Sequence, residues 1–215
     1  MAKNFKMEHP KIPAHLQTGD FHDIYEEEDP YLSTSVIANA TLDGVEVDKL
    51  VLSKVIFRHV TFLNASFHKI DMTDVIFENC DFSNANMTEG IIHRVAFKDC
   101  KLLGIDLTKA NLGNVTFENC NANLSDFIET SLKQVLFDQT MLRSANYYDC
   151  HLKKVKFERC DMNDVNFTEM SLNGVDLSTS TFDQLHVELE ALRGCEVSAD
   201  QAIGFAKLIG LKVKE

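Results

Sequence analysis

Four cysteines, Cys80, Cys100, Cys120 and Cys160, recur at multiples of twenty residues, and four histidines, His59, His68, His93 and His151, lie among them. Thiolate and imidazole are the usual ligands of a tetrahedral zinc site, but such a site needs four of them converging on one point. These do not converge, because no cysteine or carboxylate stands at ligand spacing from any of the histidines. GxSxG, P-loop, GxGxxG and HExxH motifs are also missing. The reading is therefore no catalytic residue, no cofactor and no metal. The chemistry left is that of carboxylates, with 33 Asp and Glu against 21 Lys and Arg and a net charge of -12. That balance argues against ordinary nucleic-acid or anionic-membrane binding, each of which calls for a basic patch. A macromolecular partner of such a protein is expected to be basic.

Something must position these residues, and 215 residues with 45% hydrophobic and 25% charged side chains suffice for one globular core. No stretch approaches the roughly 20 apolar residues of a membrane span, and the opening MAKNFKMEHPKIP lacks the apolar region of a secretory signal. A cytoplasmic protein with reduced thiols is expected.

The dominant pattern is a period of five. Every fifth position from Leu32 to Val187 gives 11 Leu, 12 Phe, 3 Met, 2 Ile, 2 Val, Tyr147 and Ala122. Two residues before each comes a second, smaller or β-branched position, such as Ala65, Cys80, Val95 and Ala110. Period 5 fits neither a helix nor a flat strand. A square coil accommodates it: each five-residue unit is one side, two of its residues point inward, and four sides complete a turn of twenty. Val55, Val75, Val95, Val115, Val135, Val155 and Val175 repeat at that longer interval, beside Phe57, Phe77, Phe97, Phe117, Phe137 and Phe157 as the structural core. The histidines then fall on three different sides and at different heights. The cysteines stack inward about 4.8 Å apart, with a side-chain direction wrong for a disulfide, as small core residues.

Units such as NATLD, NASFH, NCDFS, DCKLL, KANLG and NCNAN resemble the A(D/N)LXX signature of the pentapeptide-repeat family. The resemblance implies an all-β fold, a right-handed quadrilateral β-helix of about eight coils over residues 32–187, roughly 38 Å long. It is closest to the loopless members of the Qnr and MfpA type, since no unit is interrupted. That likeness implies a dimeric, acidic DNA mimic that binds bacterial DNA gyrase or topoisomerase IV and protects it from quinolones. A basic side of the coil departs from a uniform mimic.

Both ends of such a solenoid need cover. All three prolines, Pro10, Pro13 and Pro30, precede the coils, so residues 1–31 read as a separate leader or cap, acidic at Glu26, Glu27, Glu28 and Asp29. At the other end, residues 188–215, Ser198 and Gln201 form a capping box for a helix over about 199–209, followed by a short LKV strand. Ile203, Phe205, Leu208 and Ile209 make that helix apolar, and the family likeness implies homodimerisation through it.

The surface is uneven. One side exposes Glu46, Asp48, Glu89, Asp106, Asp126, Glu129, Asp149 and Glu169, of which Asp106, Asp126, Glu129, Asp149 and Glu169 are the candidate partner-binding face. The side before it adds Asp43, Asp81, Asp161, Asp164 and Asp183, while a third is basic with Lys54, Arg94, Lys133, Lys153 and Lys154. The outward column Val36, Ile56, Ile76, Ala96, Thr116, Leu136 is apolar and must be covered either by the leader, through Phe5, Ile12, Leu16, Phe21 and Ile24, or by a partner. Two functions remain open: the topoisomerase-directed mimic, and a noncatalytic scaffold that binds another protein through the apolar strip or the leader.

Overall fold

Residues 5–25, 29–208 and 210–213 are described by the computed structural model. At every fifth position from Thr34 to Gly174 the backbone turns left-handed, with φ between 49° and 79°. Most of these corner residues are not glycine, and a lone left-handed residue of this kind is unfavourable by about 1 kcal/mol. Asn39, Asn64, Asn79, Asn84, Asn114 and Asn119 reduce that cost because asparagine tolerates the conformation. Gly104 has a second reason to be glycine: a Cβ there would approach Asn84 Oδ1, one coil below, to 2.8 Å.

Between corners the backbone is extended. After β1 (Gln17–Thr18), β2 (Tyr31–Ser33) and β3 (Ser35–Ala38) come six eight-residue strands: β4 (Val51–Arg58), β5 (Asp71–Glu78), β6 (Ile91–Lys98), β7 (Asn111–Glu118), β8 (Ser131–Asp138) and β9 (His151–Glu158). Each spans two sides of the square. They stack in parallel at an offset of twenty residues, with Phe57 opposite Phe77 and Phe97 opposite Phe117. The other two sides are held by single bridges such as Thr61 to Asp81 and Ser66 to Asn86. There the corners close tightly, Ala65 N–H donating to Phe62 C=O and Ile70 N–H to Phe67 C=O, each at 3.1 Å.

The inward residues fill the coil. Phe57, Phe77, Phe97, Phe117, Phe137 and Phe157 stack ring on ring at 5.1, 5.0, 5.0, 4.7 and 5.1 Å. A neighbouring side meets them edge-on, as Phe82 meets Phe77 at 4.9 Å and 89°. Both arrangements are favoured by the ring quadrupole. All the cysteines are free thiols. Cys80, Cys100, Cys120 and Cys160 each donate to a backbone carbonyl 23 residues earlier, those of Phe57, Phe77, Phe97 and Phe137. Thr140 interrupts the cysteine series without breaking this pattern, since its hydroxyl donates to Phe117 C=O at 3.0 Å. Ser180 does the same to Phe157 C=O at 3.1 Å. From Cys80 to Ser180 the column keeps a small side chain with a donor, which cysteine, threonine and serine all supply, whereas Ala40 and Val60 in the earlier coils have none.

The winding extends past Val187. Two-residue strands β10 (Val165–Asn166) and β11 (Leu185–His186) pair in parallel, and Asp176 bridges to Glu196 in a partial further coil. Leu192 and Val197 continue the five-residue register there and pack against the core. The helix α1 (Ala199–Leu208) follows, with Ser198 N–H donating to Gln201 Oε1 at 2.8 Å and Gln201 N–H to Ser198 Oγ at 3.2 Å. Gln201 also ties the helix to the rod by donating to Leu177 C=O and Ser180 C=O. The expected LKV strand does not form: residues 211–213 are irregular and exposed, with no ladder partner for their backbone.

The leader is bound to the rod. Gln17–Thr18 extends the sheet by pairing with Ser35–Val36. Phe21 and Ile24, in a short 3-10 turn, are buried, and the Phe21 ring sits 6.3 to 6.5 Å from those of Phe57, Phe62 and Phe67, across the open end of the first coils. Upstream, the leader runs back along the rod: Lys11 N–H donates to Asp74 Oδ1 at 2.8 Å, Glu8 N–H to Asn114 Oδ1 at 2.9 Å, and Gln134 donates to Lys6 C=O. Phe5 lies under Lys156 Nζ at 5.0 Å. Phe5, Met7, Pro10, Ile12 and Leu16 are half-buried, while Ile56 and Ala96 of the outward apolar column are buried. Glu26, Glu27 and Glu28 lie outside the described residues.

Two outcomes test this architecture. Phe117→Ala, in the middle of the ring stack, is expected to cost about 3 to 5 kcal/mol in denaturant unfolding. Asp74 is held below the usual carboxylate range first by two Arg94 hydrogen bonds, at 2.7 and 2.9 Å, and then by the Lys11 N–H, against burial. A depressed carboxyl contributes stability above its unfolded pKa and loses it as pH falls, so hydrogen-exchange protection of residues 8–11 should weaken selectively below about pH 4.

Candidate functional site

The candidate surface is built from two features of the coil. Corner residues, left-handed and outward, repeat every twenty positions, which places Glu89, Lys109, Glu129, Asp149 and Glu169 in one column at φ between 51° and 60°. On the side just before that corner, Asp106 and Asp126 lie directly opposite each other in the ladder, flanked by Asn86 and Asn146. Coil spacing of about 4.8 Å separates successive members of each column. The five candidates therefore share one side and edge of the rod.

Their electrostatic states differ. Glu129 is paired to Lys109 at 3.7 Å, and one coil pair earlier Glu89 is paired to Lys69 at 3.4 Å. Asp106, Asp126, Asp149 and Glu169 have no ion-pair partner among the described residues. Burial raises the Asp126 carboxyl above the usual value, and the charge of Asp106 adds to it, against a hydrogen bond from Asn146. Like charges opposite each other in a ladder are destabilising. A cation arriving from outside would relieve that repulsion.

The neighbouring side is less acidic than its composition implies. Asp81 is paired to Lys101 at 3.1 Å, Asp161 to Arg143 at 3.3 Å, and Asp164 to His186 at 2.7 Å. The column Arg58, Glu78 is likewise closed on itself at 2.7 Å. Asp43 and Asp183 on that side, like Asp149 and Glu169 on the candidate edge, have no ion-pair partner among the described residues. On the basic side, Arg94 is occupied by Asp74 and lies beneath the leader, whereas Lys54, Lys133, Lys153 and Lys154 have no acidic partner among the described residues.

Other candidates fall elsewhere. Ile203 on α1 is exposed, but Phe205 turns toward the rod, its ring 5.7 Å from that of Phe182. The side chain of Leu208 and all of Ile209 lie outside the described residues. A cleft of about 1230 Å³ opens between α1 and the last coil, lined in part by Phe182, Leu185, Leu189 and Phe205. The histidines sit apart, and the described residues hold no group of three or more potential metal ligands. Burial pushes the Cys150 thiol up to about 12 and the Cys160 thiol up to about 11. Neither forms a thiolate near neutral pH. No described helix is long and apolar enough to cross a membrane.

Residues 90–167 match the family model of a pentapeptide repeat region, and residues 71–104 match that of pentapeptide repeats in 8 copies. Residues 71–167 thus carry pentapeptide repeats, and the same twenty-residue ladder continues on both sides of them. A segment of 55 residues is 39% identical to the uncharacterized protein YisX of Bacillus subtilis (strain 168), and the match spans 26% of this chain and 26% of that protein. Among solved structures, full-length QnrB1, a plasmid-mediated fluoroquinolone resistance protein, is 17% identical with a TM-score of 0.49, covering 82% of this chain and 100% of its own. HetL, a pentapeptide-repeat protein involved in heterocyst differentiation regulation in Nostoc sp. strain PCC 7120, is 17% identical with a TM-score of 0.44, covering 85% of this chain and 95% of its own.

The raised carboxyl generates a prediction with a defined sign. A carboxyl whose folded pKa lies above its unfolded one destabilises when ionised, so its cost appears as pH rises and vanishes below both values. Asp126→Asn should raise the unfolding free energy slightly at pH 7, by about a few tenths of a kcal/mol, and the melting temperature with it. The gain should vanish below about pH 4, which differential scanning calorimetry at the two pH values would read.

Proposed function

We propose that the protein is a noncatalytic interaction rod whose acidic edge imitates the phosphate backbone of DNA toward a basic protein, DNA gyrase or topoisomerase IV. The observation that carries this reading is the set Asp106, Asp126, Asp149 and Glu169, free of ion-pair partners among the described residues and held on one rigid edge. Phosphate attraction to Lys and Arg dominates protein–DNA affinity, and fixed carboxylates can occupy the same cationic groove. A rod already ordered before binding loses little conformational entropy when it docks. In this reading the protein acts in the cytoplasm as a homodimer, joined through the α1 end by the exposed Ile203, with Leu208 and Ile209 as further candidates and Phe205 supporting the helix from its inner side. Two stacked coil sets would reach roughly 80 Å.

A second reading, a scaffold for another protein with no topoisomerase role, draws on the leader and the apolar column beneath it. Gyrase supercoiling separates the two. Micromolar protein is expected to alter supercoiling or its quinolone sensitivity, and the triple variant D126N, D149N, E169Q should lose most of that effect and its dependence on salt. An unchanged reaction over the micromolar range rejects the DNA-mimic reading.

A further inference from the structure

On one half of the square the backbone ladder stops before the coils do. At the first residue of each long strand the N–H donates to a carbonyl in the coil before: Asp71 to Leu50, Ile91 to Ile70, Asn111 to Gly90, Ser131 to Ala110 and His151 to Thr130. The next bond of that series, from Ser171 N–H to Cys150 C=O, is not made among the described residues. β9 is accordingly the end of its sheet, although residues 171–178 wind on past it. At the far corner Gln139 N–H still donates to Glu158 C=O, whereas Arg159 N–H turns to the Thr179 hydroxyl oxygen. The other two sides stay joined, with Thr181 N–H donating to Cys160 C=O and Phe167 N–H to His186 C=O.

The interruption also shows in burial. Leu112 and Leu132 are buried, but Leu152, next in their column, is only half-buried; Ala110, Thr130 and Cys150 are buried, and Met170 after them is half-buried. A cavity of about 500 Å³ opens there, with Lys133, Asp149, Leu152, Lys153, Glu169 and Met170 among its walls. Lys133 and Lys153 lie directly opposite each other in the ladder and have no acidic partner among the described residues. Asp149 and Glu169, equally unpaired, form the opposite bank. From Asp149 to Lys153 is four residues, roughly 13 Å of extended chain.

Backbone groups in such a cavity need partners, and an extended peptide supplies alternating donors and acceptors at the spacing of a strand edge. A second copy of β9 does not suit, because it would set Lys153, Lys154 and Lys156 against cations of the same kind. The two banks call instead for a segment with a cation at one end and a carboxylate at the other.

We propose that the β9 edge is a strand-addition site for an extended segment of another protein, with a basic residue at one end and an acidic residue four positions on. Laid parallel to β9, such a segment puts its basic residue opposite Asp149, a small residue opposite Cys150, an apolar residue opposite Leu152 and its acid opposite Lys153. The N–H of its middle residue takes the place that Ser171 leaves empty toward Cys150 C=O. The site rests on the interrupted ladder and not on the topoisomerase reading, so each can fail alone.

The test is an NMR titration of the full-length protein with the acetylated, amidated peptide Lys-Ala-Ser-Leu-Glu. In the free protein the Leu152 and Lys154 amides should exchange at least about tenfold faster than those of Leu132 and Gln134. The peptide should bind saturably, shift the β9 amides and slow their exchange. The charge-reversed peptide Glu-Ala-Ser-Leu-Lys, and the first peptide methylated at its serine nitrogen, should each bind about tenfold more weakly. In the variant D149K/K153E the two charged peptides should exchange their order of affinity; should that variant fail to fold, K153E alone should weaken the first peptide about tenfold. β9 amides as protected as those of β8 in the free protein would mean that the chain covers this edge itself, and would overturn the proposal. So would the lack of saturable binding, equal binding of the charge-reversed or methylated peptide, or affinities that the charge substitutions leave unchanged.

Discussion

Hydrogen bonding between successive coils sets a rise of about 4.8 Å, and every other feature of the rod has to live with that spacing. It happens to lie within the range at which aromatic rings stack, as the 4.7 to 5.1 Å separations from Phe57 to Phe157 show. The backbone ladder and the aromatic core therefore satisfy the same length. A phenylalanine column can continue through six coils without strain, and each coil rests only on its neighbours. The same spacing places like charges opposite like charges wherever a column repeats its residue type. The rod answers in some columns by alternating sign, as in Arg58 and Glu78, and leaves others, such as Asp106 and Asp126, unrelieved.

From Cys80 to Ser180 the inward small column offers a donor as well as small size. A thiol or hydroxyl there reaches a backbone carbonyl one coil back, so its own buried proton finds an acceptor. This makes Thr140 and Ser180 equivalent to Cys100 and Cys160, and it assigns the cysteines a structural rather than a redox role. Their burial, which raises the thiol pKa at Cys160 to about 11, works in the same direction.

The surface divides into regions by what is already neutralised. Composition alone makes two sides acidic, but Lys101 and Arg143 pair with Asp81 and Asp161 on one of them. On the other, Asp106, Asp126, Asp149 and Glu169 of the later coils have no ion-pair partner among the described residues. The leader occupies a different edge, where apolar residues and the Asp74–Arg94 pair receive an extended segment.

Much of the fold was legible because the five-residue period is written in side-chain identity: a residue in the wrong phase would bury a charge or expose a phenylalanine. The same register, followed on to Leu192 and Val197, would have extended the winding beyond Val187, and the twenty-residue offset holds there, with Asp176 opposite Glu196. The capping box at Ser198 was likewise readable, since its hydrogen bonds are local. The amino-acid order by itself determined the coil, its core and the columns of surface charge, because these follow from contacts at fixed separations of five and twenty. Only tertiary structure decided which charges pair, that Phe205 meets Phe182, and that residues 5–18 lie along the rod. Those leader contacts join positions 63, 106 and 128 residues apart, and no repeat in the sequence encodes a separation that occurs once.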